Sequence, residues 1–218
     1  MYKRFLVELV SKLCYNLDKG NAIYKFQFLG ENMNERILEG ALKVFREKGP
    51  KFTMDDLATE MKMSKKTIYT IFSDKNELMC DMMDYAFDMI KAAEDKIYND
   101  ESLDTIERVR GILAVLPESH YGFDYTAMHQ LANKYPMAYE KMIDRLDSGW
   151  EKTFELLRKG ITDGDIREID LNIFKLMYEA CVDKLLMGDY LKSSGIDYPK
   201  ALAEVVDVMI DGIVVKGK

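Results

Sequence analysis

Ile37, Leu38, Ala41, Leu42 and Phe45 recur at i, i+1, i+4, i+5 and i+8, the spacing that lays one apolar stripe along an α-helix. Phe5, Leu6, Leu9, Val10 and Leu13 repeat it, and helical patterns continue over about 75–99, 103–116, 124–134, 137–160, 170–192 and 199–215. Breakers separate them: "KGP" at 48–50, Pro117, Pro136, "TDGD" at 162–165, "SSG" at 193–195 and Pro199. No sustained period-2 run bounded by turns appears, so the pattern predicts an all-α chain.

No apolar run approaches the ~18 residues of a membrane span. "MYKRFLVELVSKLC" opens basic and then apolar, yet Glu8 and Lys12 interrupt it and no small-residue cleavage site follows, which predicts a cytoplasmic protein with no membrane partner. Cys14, Cys80 and Cys181 are scattered and odd in number, which argues against a disulfide framework. With His120 and His129 the only histidines, no metal site or cofactor is expected. Residues 1–32 form a mildly basic N-terminal extension with two open readings. It is a helix packed on the rest, or an overcalled start with Met33 as the natural initiator.

The stretch "TMDDLATEMKMSKKTIYTIFSDKNEL", Thr53 to Leu78, reads as two short helices and the start of a third. Thr53 with Asp56 three residues on is an N-capping arrangement, and Leu57, Ala58 and Met61 share one face. "KMS" makes a turn, Ser64 caps again with Met63 placed to staple on Ile68, and Ile68 and Phe72 lie one turn apart toward a core. Asp74, with Glu77 following, opens the next helix. Lys65, Lys66 and Tyr69 remain on the outer side. A helix-turn-helix needs this arrangement, with the second helix presenting its N-terminal residues to base edges and lysines pairing with phosphates.

"LATEMKMSKKTIYTIFSDKNEL" resembles the DNA-binding signature of the tetracycline-repressor (TetR) family over about residues 36–80. The matching positions are Leu57, Ala58, Ser64, Thr67, Ile68, Tyr69, Phe72 and Lys75. Two positions depart. Lys62 stands where glycine is usual, so a side chain is expected at positive φ. Ile71 stands where a polar residue or His is common. The resemblance implies an N-terminal three-helix helix-turn-helix domain (33–78) plus a larger C-terminal helical bundle that binds ligand and dimerises (79–218). It implies that Thr53, Lys65, Tyr69 and Lys75 contact phosphates, and that Lys66, Thr67 and Ser64 read bases of a palindromic double-stranded operator.

Charge agrees with that division. Residues 34–78 hold 9 Lys/Arg against 8 Asp/Glu, whereas residues 79–218 hold 17 against 27. An acidic body with a locally basic head suits one polyanion contact through a small patch. The body also holds most of the methionines and tyrosines and the single Trp150. Apolar positions in the last two helices exceed one buried stripe, which suits a four-helix homodimer interface. The resemblance implies an effector pocket in the body, with Phe87, Tyr125, Met128, His129, Trp150, Tyr178 and Cys181 as candidates. An aromatic and Met lining would suit a hydrophobic, planar or cationic compound. The expected function is a ligand-responsive dimeric repressor and not an enzyme. The alternative is a ligand-independent architectural or protein-recruiting DNA binder, favoured by a body without cavities.

Overall fold

The computed structural model describes residues 33–117, 120, 128–187 and 190–215. The N-terminal extension and Tyr125 lie outside them. The first helix, α1 (Met33–Lys48), buries Ile37, Leu38, Ala41, Leu42, Val44 and Phe45, the stripe read from periodicity. A 3-10 turn (Gly49–Lys51) leads to α2 (Met54–Met61) and α3 (Lys65–Tyr69). Beyond them α4 (Lys75–Tyr98) runs 24 residues, about 36 Å at 1.5 Å per residue.

The body comprises α5 (Thr105–Ala114), α6 (Met128–Lys134), α7 (Pro136–Asp147), α8 (Glu151–Asp163), α9 (Leu171–Met187), α10 (Tyr190–Ser194) and α11 (Tyr198–Asp211). α4 packs along α1 and along α7, α5 against α8 and α11, and α9 against α11. One apolar core therefore runs from Phe72 and Leu78 in the head to Leu157 and Ile210 in the body. Among the described residues the sole β-pairing is one antiparallel bridge, Ile166 with Val214, which ties the turn after α8 to the chain after α11. Three ion pairs join α4 to α7 and α8: Asp84 with Lys141, Asp88 with Arg145 and Asp95 with Lys152. Every partner lies 57 residues further along the chain, so the two helical tracks run parallel.

One helix predicted as continuous is divided. The 137–160 segment breaks between α7 and α8 at Gly149, which sits at φ +78°. That left-handed conformation favours glycine, and the Lys91 side chain lies beside it, with Nζ 2.8 Å from where a Cβ would stand. The 170–192 segment is described as α9 and α10, on either side of residues 188–189, which lie outside the described residues.

The turn between α2 and α3 has the strained geometry expected at Lys62, with φ 53° and ψ 41°. A Cβ in the left-handed region costs about 1–2 kcal/mol, partly offset because glycine loses more entropy on folding. Lys62→Gly is therefore expected to stabilise the fold by about 0.5–1 kcal/mol, raising Tm by roughly 2 °C. Thermal unfolding checks this, and an unchanged or lower Tm would refute the strain.

Candidate functional site

The head is assembled by caps. Thr53 Oγ1 accepts from the Asp56 N–H at 3.1 Å, and Asp56 Oδ2 accepts from the Thr53 N–H at 2.7 Å and its hydroxyl at 2.8 Å. Hydrogen bonds from Lys48 and from Thr53 hold the Asp56 carboxyl down to about 2. Ser64 caps α3 by accepting from the Thr67 N–H at 3.1 Å, and the two hydroxyls meet at 2.9 Å. Asp74 caps α4 through the Glu77 N–H, while Glu77 reaches back to the Ser73 N–H. Each end is thus satisfied locally, which is why so short a helix as α3 persists.

The inner face of α3 is anchored by Ile68 and Phe72, which are buried, and Ile71 packs half-buried on the same core. α1 meets α2 at Gly40, where an added Cβ would lie 2.1 Å from Met61 Sδ. On the outer face Ser64, Lys65, Lys66, Thr67 and Tyr69 are all exposed, Tyr69 at 46%. Lys65 pairs with Asp55 at 2.9 Å, whereas Lys66 forms no ion pair among the described residues.

Lys75 lies elsewhere than on the phosphate-facing surface the resemblance implied. Its ammonium donates to the carbonyls of Pro50 (3.3 Å) and Phe52. It also sits 3.9 Å above the Phe52 ring and 5.0 Å from that of Tyr135. Burial and the nearby Lys134 lower it to about 8. Lys75 is therefore a brace joining the turn before α2 to the α6–α7 junction.

Two small cavities lie beneath the head. The first, about 80 Å³, is walled chiefly by α4, α5, α8 and α9 and includes Phe87, Lys91, Glu94, Trp150, Thr153 and Tyr178. The second, about 100 Å³, lies among Leu42, Phe45, Met83, His120, Met142 and Leu186, and so touches α1 of the head. Phe87, Ile90, Leu116, Leu146 and Tyr198 wall both.

Phe87, Trp150 and Tyr178 thus come together as expected. Trp150 meets Tyr178 edge-on at 5.4 Å, and Tyr178 Oη donates to the Leu113 carbonyl at 2.8 Å. Cys181 lies on α9 outside both cavities, and Met128 and His129 open α6 with side chains outside the described set. His120 lines the second cavity. It is buried, which pushes its imidazole down to about 4 against a hydrogen bond to the Ala86 carbonyl. Tyr198, Lys91 and Glu94 were also missed. Lys91 and Glu94 follow Phe87 at i+4 and i+7 on α4, a spacing that could have found them, whereas Tyr198 is far from Phe87 and Trp150 in the sequence.

A capped helix-turn-helix with an exposed basic α3, set on a larger helical body, defines a DNA-binding regulator of transcription. Residues 37–81 match the family model described as bacterial regulatory proteins, tetR family. An uncharacterised HTH-type transcriptional regulator of Bacillus subtilis (strain 168), YvaF, is 27% identical over 181 residues, 83% of this chain and 95% of that protein. Among solved structures, PfmR from Thermus thermophilus is 27% identical with a TM-score of 0.54, covering 82% of this chain and 97% of that one. FadR from Bacillus subtilis in complex with stearoyl-CoA is 18% identical with a TM-score of 0.52, covering 81% and 97%. Residues 37–81 thus match the tetR family of bacterial regulatory proteins, and the chain as a whole is similar to HTH-type regulators of transcription.

Proposed function

We propose that this regulator is a homodimeric repressor that leaves its operator when a small apolar compound enters the body. The observation that carries this reading is the double role of α4. It packs along α1 of the head, and its Phe87 and Ile90 wall both cavities. A compound that separates those walls displaces the element on which the head is mounted. Such a switch requires different affinities for the two states, which a cavity that changes shape with α4 supplies. The fold shared with FadR, which was solved with stearoyl-CoA, agrees with a body that accommodates apolar ligands.

In this reading Thr53, Lys65 and Tyr69 contact phosphates, and Lys66, Thr67 and Ser64 approach base edges. Dimerisation runs through α9 and α11. Ile173, Leu176 and Met177 are 53%, 60% and 53% exposed along one stripe of α9, and Val208 on α11 is 74% exposed. Phe174, Leu185, Met209 and Ile213 on the same two segments are buried in the subunit's own core. Two heads must lie about one DNA turn apart, roughly 34–36 Å, to read a palindrome.

Selecting bound sequences from random duplex DNA, with light scattering on the same preparation, tests the proposal. A pseudo-palindrome bound by a dimer is expected, and Met177→Glu with Val208→Asp should yield monomers. Recovery of a single asymmetric site by a monomer would overturn it. The two cavities weigh against the ligand-independent alternative, which favours a body packed without them.

A further inference from the structure

We propose that the first cavity binds an organic monocarboxylate, its carboxylate held at the opening of α8 and its apolar body pressed against the wall shared with the second cavity. This rests on the reading of the body as an effector domain and adds the chemistry of the effector.

The break between α7 and α8 makes the binding feature. α8 is 13 residues long, and its N-cap Trp150 supplies no side-chain hydrogen bond. Its first-turn amides therefore lack the side-chain acceptor that Asp74 gives α4 and Asp104 gives α5. Ser148, Gly149, Trp150 and Thr153 from this break all line the cavity. Thr153 is 4% exposed, and its hydroxyl makes no hydrogen bond among the described residues. Uncapped amides and a buried hydroxyl, side by side, share one missing complement, an acceptor. Helix N-termini hold anions for this reason.

The charged groups present are already matched. Glu94 reaches the cavity but pairs with Lys91 at 2.9 Å, and Lys91 Nζ occupies the space that glycine leaves at position 149. Arg145, also in the wall, pairs outward with Asp88 and lies 5.9 Å from the Phe87 ring. No carboxylate is left over to favour a cation, so a cationic effector, suggested by the aromatic residues alone, fits less well. The rest of the wall, including Ile112, Leu113, Val182 and Leu202, is apolar and suits an alkyl or aryl group.

Size then couples binding to motion. Cavities of about 80 and 100 Å³ are each smaller than the ~150 Å³ that accommodates benzene. A ring or a chain of several carbons must join the two by parting Phe87 and Ile90 of α4 from Leu146 of α7. Occupancy and displacement of α4 become one event.

Titration calorimetry on the full-length protein with benzoate and octanoate, against benzamide and octanamide, tests the site. At least one acid is expected to bind tenfold or more tightly than its amide. Thr153→Val should abolish most of that preference while Thr153→Ser preserves it, and circular dichroism confirms the fold of both. Equal affinity for acid and amide, tighter binding of benzyltrimethylammonium, or no binding of either acid would overturn the carboxylate site. Operator release is measured separately by fluorescence anisotropy. An acid that binds through Thr153 without releasing DNA supports the site and overturns the effector reading. A non-carboxylate that binds and releases DNA does the reverse.

Discussion

Replacing Lys65 and Lys66 together by alanine is expected to lower operator affinity by roughly a hundredfold or more near 0.15 M salt. The dimer and the melting temperature should persist. Both side chains are exposed on α3, and neither contributes to its anchorage, which rests on Ser64, Ile68 and Phe72. A dimer loses four cations in this variant. If each neutralises a phosphate, the slope of log affinity against log salt falls by about 3 to 4. The two lysines are not equivalent. Lys66 has no ionic partner among the described residues, whereas Lys65 must exchange Asp55 for a phosphate. Asp55→Asn should consequently tighten DNA binding severalfold while Lys66→Ala alone weakens it. Anisotropy titrations over a salt series measure all three. An unchanged affinity and slope in the double variant would exclude α3 as the contact.

Stability is expected to decline as pH falls from about 6.5 to about 4, and His120 should account for about 3 kcal/mol of that loss. The imidazole is buried in an apolar cavity, where desolvation disfavours its charged form. In the unfolded chain it takes a proton below about 6.5, but in the folded chain only below about 4. The contribution is thus fully present above 6.5, shrinks as pH drops, and levels off below 4. His120→Gln cannot gain a proton, so its urea stability should lose less across that window than wild type. Parallel pH profiles for the two proteins would exclude His120 as the source.

The head was legible because its determinants are local. Thr53 and Asp56, Ser64 and Thr67, and Asp74 and Glu77 find their partners within four residues, so spacing alone reveals them. The strain at Lys62 was visible for the same reason. The body was legible only as helices. The apolar pattern runs on past Gly149, and a lone glycine inside such a pattern does not by itself announce the left-handed turn found there. Lys75 looked like a phosphate ligand because its chemistry permits it, but the carbonyls of Pro50 and Phe52, 25 and 23 residues earlier in the turn before α2, hold it inward. The cavities were the least legible. Their walls come from most of the helices, and an aromatic that lines a cavity has the same local pattern as one that fills a core. His120 and Tyr198 show this directly.

The three ion pairs between α4 and the α7–α8 track also constrain how α4 can move. Their members are spaced by four and then seven residues on both tracks: 84, 88 and 95 against 141, 145 and 152. A slip by one turn would match only one tooth of this rack and leave the other charges facing no counterpart. Exposed pairs contribute at most about 1 kcal/mol each, so they add little rigidity but do penalise a wrong register. Axial sliding is therefore disfavoured, whereas a swing about the rack keeps the teeth engaged. In a dimer, a pivot of that kind changes the span between the two heads rather than their depth in the groove.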